Sequence, residues 1–311
     1  MSKILFIQKK IEKFDNKIKV SGDKSLSIRW VLLASQAIGK SKAYNLLMSE
    51  DVLATLNSIK KLGIKVKIHK SYCEIAGNGI NGFKYKKNLT INAKNSGTLS
   101  RLILGLLIKS PYKIKLIGDK SLSKRDFSRV TLPLENFGAK FYYKNKNKLP
   151  LSIIGSQSAK GISYLEDKGS AQCKSSVMLA ALNSSGTTFI KAKKSRNHSE
   201  LLFKYLKIPI KIKKTKNYDF INIKQPKKIK SFNYQIPGDI SSSAFFMVLT
   251  TLANNSKLLI KNVNINPSRM GVITILKKMG AQITLENQKN YRGEKISDIL
   301  IKSSKKLKAI N

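Results

Sequence analysis

Arginine is scarce in this chain, and so are cysteine, histidine and acid. Seven of the 60 basic residues are arginine, set against 17 acidic residues, two histidines and two cysteines in 311 residues. Cys73 and Cys173 are too few for a disulfide framework or a metal cluster. No His, Cys or Asp spacing suits a metal, and neither a phosphate-loop nor a dinucleotide fingerprint occurs. No apolar run approaches the roughly 18 residues of a membrane span, and the stretch from Phe245 to Ala253 has at most the length of a buried helix. Ile4 to Ile7 is too short an apolar run for a secretory signal core. The simplest expectation from these absences is a cytoplasmic enzyme.

What is abundant is lysine, and the net charge is +43. A strongly basic chain suggests nucleic acid, since counterion release favours such binding. Here, however, lysines are spread along the whole length, with no arginine-rich block and no interleaved aromatics. Lys, Asn and Ile are heavily used together, as A/T-rich coding would produce, so no nucleic-acid partner is expected. In such a chain each arginine becomes informative, because its planar fork binds carboxylates and phosphates in pairs of bonds. Arg29, Arg101 and Arg125 each close a Gly- or Asn-rich turn.

One of those turns, Gly22-Asp23-Lys24-Ser25-Leu26-Ser27-Ile28-Arg29, follows the alternating Ile18-Lys19-Val20 and leads into an apolar helix. A helix start presents unpaired N–H groups and the positive end of the macrodipole, so anions settle there. A capped helix with solvated charges would explain one such loop. The chain repeats it: Gly118 to Arg125 matches at seven of eight positions, and Pro237-Gly238-Asp239 opens a looser third copy.

A second periodicity marks helix ends. Leu62-Gly63-Ile64, Phe137-Gly138-Ala139 and Met279-Gly280-Ala281 each place glycine where a left-handed cap is wanted, then begin an alternating strand. Leu206-Lys207-Ile208 is a degenerate copy without the glycine. The copies lie roughly 70 to 75 residues apart, which implies stacked αβ units that bury their cores on one another. Three units are expected to form a complete domain over residues 16–228. Residues 1–15 and 229–311 are expected to form an incomplete second domain, with Gln225 to Lys230 as the hinge.

Other helix starts carry similar chemistry. Asn95-Ser96-Gly97-Thr98-Leu99-Ser100-Arg101 precedes an apolar helix read from Leu102 to Ile108. Ser170-Ala171-Gln172-Cys173-Lys174 offers hydroxyl, amide and ammonium groups ahead of another. Ser195-Arg196-Asn197-His198 ends a strand, and His198 reads as a structural residue of a capping turn. Both cysteines read as small core residues. The collection suits a substrate bearing several phosphates and carboxylates.

These motifs, in this order along essentially the whole chain, resemble the 5-enolpyruvylshikimate-3-phosphate synthase family. The resemblance implies an α/β fold of inverse αβ repeats, three to a domain, with one domain complete here. It implies enolpyruvyl transfer from phosphoenolpyruvate to the 5-hydroxyl of shikimate 3-phosphate, with no cofactor. By the same resemblance Lys24, Gly97, Arg125 and Gln172 would meet phosphoenolpyruvate, with Lys24 as the catalytic residue. Ser25, Arg29, Ser170 and Arg196 would hold shikimate 3-phosphate, and Asn95 would line the cleft. A full-length chain is expected to be a monomer. The family's late acidic proton-transfer residue and late Lys and Arg ligands would lie beyond Asn311, so the 311-residue chain alone is expected to be inactive or weak. Leu102 and Asp126 stand where the family often has proline. Two rivals are the sister enzyme acting on UDP-N-acetylglucosamine, whose loop cysteine has no match between Pro111 and Arg125, and a non-catalytic basic fragment.

Overall fold

The computed structural model describes residues 13–310, so the strand expected at Ile4 to Ile7 lies outside the described residues. Four times the chain runs strand, helix, strand, helix, strand, strand, with the second helix of the second pass split in two. The first pass comprises β1 (Asp15–Ile18), α1 (Lys24–Ser35), β2 (Ile38–Tyr44), α2 (Glu50–Lys61), β3 (Lys65–Ile68) and β4 (Tyr72–Asn78). The second comprises β5 (Leu89–Asn92), α3 (Gly97–Leu106), β6 (Ile114–Ile117), α4 (Lys120–Ser123), α5 (Ser128–Glu135), β7 (Lys140–Tyr143) and β8 (Leu151–Ile154). The third comprises β9 (Ser163–Glu166), α6 (Ala171–Ala181), β10 (Thr187–Lys193), α7 (His198–Tyr205), β11 (Ile210–Lys214) and β12 (Tyr218–Lys224). The fourth comprises β13 (Asn233–Gln235), α8 (Ile240–Leu252), β14 (Lys257–Asn264), α9 (Gly271–Lys278), β15 (Gln282–Tyr291) and β16 (Glu294–Lys302).

Each pass yields the same four-stranded sheet, a parallel pair extended by two antiparallel strands. The orders are β5-β6-β8-β7, β9-β10-β12-β11, β13-β2-β4-β3 and β1-β14-β16-β15. In the last two sheets the first and fourth passes have exchanged their leading strands. β1 runs parallel to β14, with Asp15 opposite Lys257, and β13 runs parallel to β2, with Asn233 opposite Lys42. The chain therefore forms two compact units, one of residues 24–236 and one of residues 237–310 with the described residues 13–23.

The exchange moves both boundaries from those expected. The chain crosses between units at 23/24 and 236/237 rather than at 15/16 and 228/229, because β1 belongs to the sheet of β14 and β13 to the sheet of β2. Gln225 to Lys230 is not the crossing. Ile229 is buried, its carbonyl accepts from Ile38 N at 2.8 Å, and Lys230 bridges Ile38 at the start of β2.

The helix-end grammar acquires a geometric cause. Gly63, Gly138 and Gly280 have φ of 84°, 97° and 98°, the left-handed conformation that glycine adopts without a Cβ penalty. The degenerate copy bends the same way, with Lys207 at φ 55°. Behind Gly63, Gly280 and Lys207 the next amide reaches back to close the cap: Ile64 N to Ile59 O, Ala281 N to Leu276 O and Ile208 N to Phe203 O, at 2.9 to 3.0 Å.

Helices α1, α3 and α6 form the centre of the first unit. Leu26 to Ser35 of α1 are all buried, as are Cys173 to Ala181 of α6, and α3 packs on both α1 and α6. Burying a Leu, Ile or Val side chain contributes about 1.5–3 kcal/mol. Helix α8 begins with the same chemistry but is buried on one face only. Val20, Ile240 and Met247 join Leu258, Ile260 and Ile299 in a core, while Phe245 stays 81% exposed and Leu252 66% exposed. The stretch read as having a buried helix's length thus has an apolar outer face, because its packing is against β14 and β16 on one side.

Candidate functional site

The site is best built from the helix starts of the first unit. Ser96 caps α3, its Oγ accepting from Leu99 N at 3.2 Å. The cap starts the helix at Gly97, five residues before the start read from the apolar run, so Gly97 and Arg101 lie on its first turns. From there Arg101 folds back, with Nη1 donating to the Gly97 carbonyl at 3.0 Å and to Gln172 Oε1 at 3.1 Å. Gln172, on the first turn of α6, completes the tie by donating from Nε2 to Thr98 Oγ1 at 2.9 Å. Burial pulls the Arg101 guanidinium below its ordinary value, and the nearby Arg125 adds to the effect. Two forks flank one glycine: a Cβ built on Gly97 would lie 2.7 Å from Arg125 Nη1 and 2.8 Å from Arg101 Nη1.

A second constellation surrounds Arg29, which is buried rather than open to the surface. Its Nε donates to Ser199 Oγ at 2.8 Å, Nη2 to Ser175 Oγ at 3.0 Å, and Nη1 to the Ser25 carbonyl at 3.1 Å. Ser175 and Ser199 are themselves 2.7 Å apart. Arg29 therefore joins α1 to the first turns of α6 and α7. A guanidinium spends its planar fork well in such a place, because several donors diverge from one rigid group.

The remaining expected residues take separate places. Ser170 caps α6, accepting from Cys173 N at 3.3 Å. Lys24 opens α1 half-exposed, with its Nζ 3.8 Å from Asp51. Arg125 and Arg196 are exposed, and no ion pair holds either among the described residues. Asn95 donates to Asp119 Oδ2. The loop at Gly118-Asp119 departs from its sequence twin, because it opens only the single turn α4. The polar run Lys124-Arg125-Asp126 offers no apolar stripe, and Asp126 Oδ1 accepts from Ser128 N to begin α5 instead.

Asp119 is held below the usual carboxylate range, first by the Leu122 amide it accepts from as the cap of α4 and then by Asn95. A depressed carboxyl supports the loop fully above its unfolded value and loses that support as pH falls through its folded value. The expected result is an Asp119 titration midpoint below that of an unperturbed aspartate. Asn95→Ala should raise it while leaving it depressed, since the Leu122 amide remains. Carbon-detected NMR titration of the carboxyl checks both points.

Several residues that shape the site had weak signals in the sequence. Lys174 was read as a donor at the start of α6, yet it is wholly buried with Nζ 2.6 Å from Glu200. The helix turns position 174 inward, where only a buried acid can receive it. Ser195 Oγ is buried and has no hydrogen-bond partner among the described residues. His198 is buried at the start of α7. Both cysteines are buried, and burial pushes the Cys73 thiol up to about 11, which keeps it protonated and inert.

Comparison with known proteins fits this arrangement. The sequence model of EPSP synthase (3-phosphoshikimate 1-carboxyvinyltransferase) matches residues 8–311. A 3-phosphoshikimate 1-carboxyvinyltransferase of Thermoanaerobacter sp. (strain X514) is 39% identical over 289 residues, covering 93% of this chain and 67% of the relative. That of Ruthia magnifica is 41% identical over 300 residues, covering 96% and 67%. The EPSP synthase structure from Acinetobacter baumannii superposes with a TM-score of 0.86 at 37% identity, over 96% of this chain and 67% of that one. This chain thus spans about two thirds of the length of these relatives. With the repeated α/β architecture and the clustered helix starts, these matches make the chain a member of the EPSP synthase family, the 3-phosphoshikimate 1-carboxyvinyltransferases.

Proposed function

We propose that the helix starts of residues 24–236 seat shikimate 3-phosphate and the phosphate end of phosphoenolpyruvate for the family reaction. That reaction is enolpyruvyl transfer in the shikimate pathway to aromatic amino acids. The shikimate 5-hydroxyl gives up its proton as its oxygen bonds to the enol carbon of phosphoenolpyruvate, and the methylene carbon takes a proton. The carbon–oxygen bond to phosphate then breaks, the methyl group gives up a proton, and phosphate leaves. Two dianions must be held together for this, so cationic forks and helix starts supply the positioning and charge stabilisation.

The observation that carries the reading is the pairing of Arg101 and Arg125 across Gly97, with Gln172 tied in from the next repeat. We assign Gly97, Arg125 and Gln172 to phosphoenolpyruvate, with Lys24 as the catalytic cation. Ser25, Ser170 and Arg196 go to shikimate 3-phosphate, and Asn95 lines the seat. Arg29, expected among the shikimate 3-phosphate ligands, is assigned instead to holding three helix starts in register, a reading its buried bonds support. We read the full-length protein as a monomer. Phosphorylated metabolite substrates support a cytoplasmic reading. No helix among the described residues is long and apolar enough to cross a membrane.

Shikimate 3-phosphate at about a hundred times its Kd should raise the melting temperature of the chain by about 5–10 °C. A single-stranded oligonucleotide at equal charge concentration should not. Protection by the oligonucleotide alone would favour the basic-fragment reading. No protection by shikimate 3-phosphate would overturn the assignment.

A further inference from the structure

Lys174 and Glu200 are a fully buried charge pair, their side chains 0% and 2% exposed and their charged atoms 2.6 Å apart. The ion pair is the contact that serves them: Lys174 Nζ and both Glu200 carboxylate oxygens have no hydrogen-bond partner among the described residues. Such a pair contributes little net stability, because desolvating two charges offsets most of their attraction, and apolar residues of similar volume do as well or better. Its place in the fold suggests a different use. Lys174 lies on α6 two residues beyond Gln172 and four beyond the cap Ser170. Glu200 lies on α7 four residues beyond Arg196 and five beyond Ser195. Beside the pair, Ser175 and Ser199 meet at 2.7 Å, and Arg29 donates to both.

We propose that Lys174 and Glu200 are positioning residues for substrate binding: their buried contact sets the start of α6, with Ser170 and Gln172, against the start of α7 and the loop bearing Ser195 and Arg196 that leads into it. The inference rests on the reading of these helix starts as the seat of shikimate 3-phosphate. An ion pair suits the task better than apolar contact does. Apolar packing tolerates sliding and rotation, whereas a 2.6 Å contact between two specific atoms does not. Binding groups need placing within roughly 0.5 Å, by neighbours whose own rotamers are locked. The serine pair and Arg29 provide two further ties, so the two helix starts are fixed at three points.

The test compares variants of the whole chain by melting temperature and by calorimetric titration with shikimate 3-phosphate. Lys174→Met alone strands the buried carboxylate and should lower the melting temperature by about 10 °C. The double variant Lys174→Met with Glu200→Leu should melt within a few degrees of the parent, yet bind shikimate 3-phosphate at least tenfold more weakly. Glu200→Asp keeps both charges but shortens the reach, and should weaken binding at least threefold with little change in melting. Loss of affinity without loss of stability is the signature that a purely structural pair would not give. Parent-like affinity in the double variant, or in Glu200→Asp should the double variant fail to fold, would overturn the proposal. Failure of the parent chain itself to bind would instead overturn the reading of the site, and the inference with it.

Discussion

Replacing Arg269 by alanine should lower stability by about 3–5 kcal/mol, the cost typical of breaking a buried charge network from one side. Arg269 follows the single turn Pro267–Arg269 and is 6% exposed in its side chain. Its Nη1 meets Asp23 Oδ2 at 2.5 Å, and Asp23 is completely buried. Its Nη2 donates to Asp239 Oδ1 at 3.0 Å and to Ser241 Oγ at 2.7 Å. One guanidinium therefore serves two buried carboxylates that stand beside the two places where the backbone leaves this unit. Asp239 also caps α8, and the Asp23 amide donates to the Pro237 carbonyl at 2.8 Å, so the cation holds a junction already laced by the backbone.

The turn bearing Arg269 is itself fixed from below. Asn264 and Asn266 both donate to Glu294 Oε2 at 3.0 Å, and Asn266 Oδ1 accepts from Ser268 N. The arginine is thus preorganised, and removing it takes away the fork that bridges the two carboxylates. Urea unfolding followed by far-ultraviolet circular dichroism should show a markedly lower midpoint for Arg269→Ala. Arg269→Lys should recover only part of the loss, since one ammonium cannot fork to two carboxylates. A midpoint unchanged in the alanine variant would show that the two aspartates do not depend on this cation.

What the sequence revealed of this fold follows from how locally each feature is encoded. The helix-end glycines are legible because a positive φ is a demand on one residue, and the demand survives even where Lys207 replaces glycine. The αβ period is legible because each unit repeats the same caps. The strand exchange is not, because β1 and β13 choose between two parallel partners of similar chemistry, and pairing across more than 190 residues leaves no local mark. That choice is why both unit boundaries were read too early.

The site divides in the same way. Scarce arginines and polar helix starts draw the eye to Gly97, Arg125 and Gln172 in a lysine-rich chain, whereas their linkage through Arg101 is visible only in the fold. The orientation of Arg29 and Lys174 could not, since a cation near a helix start looks alike whether it faces a substrate or a buried acid. Only the inward face of α6, tied by side chains to α1 and α7, decides that Lys174 meets Glu200 and that Arg29 spans Ser175 and Ser199.

Gly97→Ala should separate binding from stability in the opposite sense to Arg269→Ala. The new Cβ would approach Arg125 Nη1 to 2.7 Å and Arg101 Nη1 to 2.8 Å, closer than carbon and nitrogen sit without displacement. Both are the far ends of flexible side chains, so the guanidinium groups move and the backbone stays. Alanine is also the better helix former, by up to about 1 kcal/mol, so the melting temperature should hold or rise. The affected property is the spacing of two cations whose forks flank that glycine. The added methyl group also occupies the space through which an anion would reach the α3 amides. With shikimate 3-phosphate saturating, the affinity for phosphoenolpyruvate should fall by about 10- to 100-fold, or about 1.4–2.7 kcal/mol. Affinity for shikimate 3-phosphate alone should change less than about threefold, because its assigned contacts at Ser25, Ser170 and Arg196 do not touch the new methyl group. Equal losses for the two substrates would mean that Gly97 does not mark the phosphoenolpyruvate end, and the assignment of the paired arginines would have to be exchanged with that of Arg196.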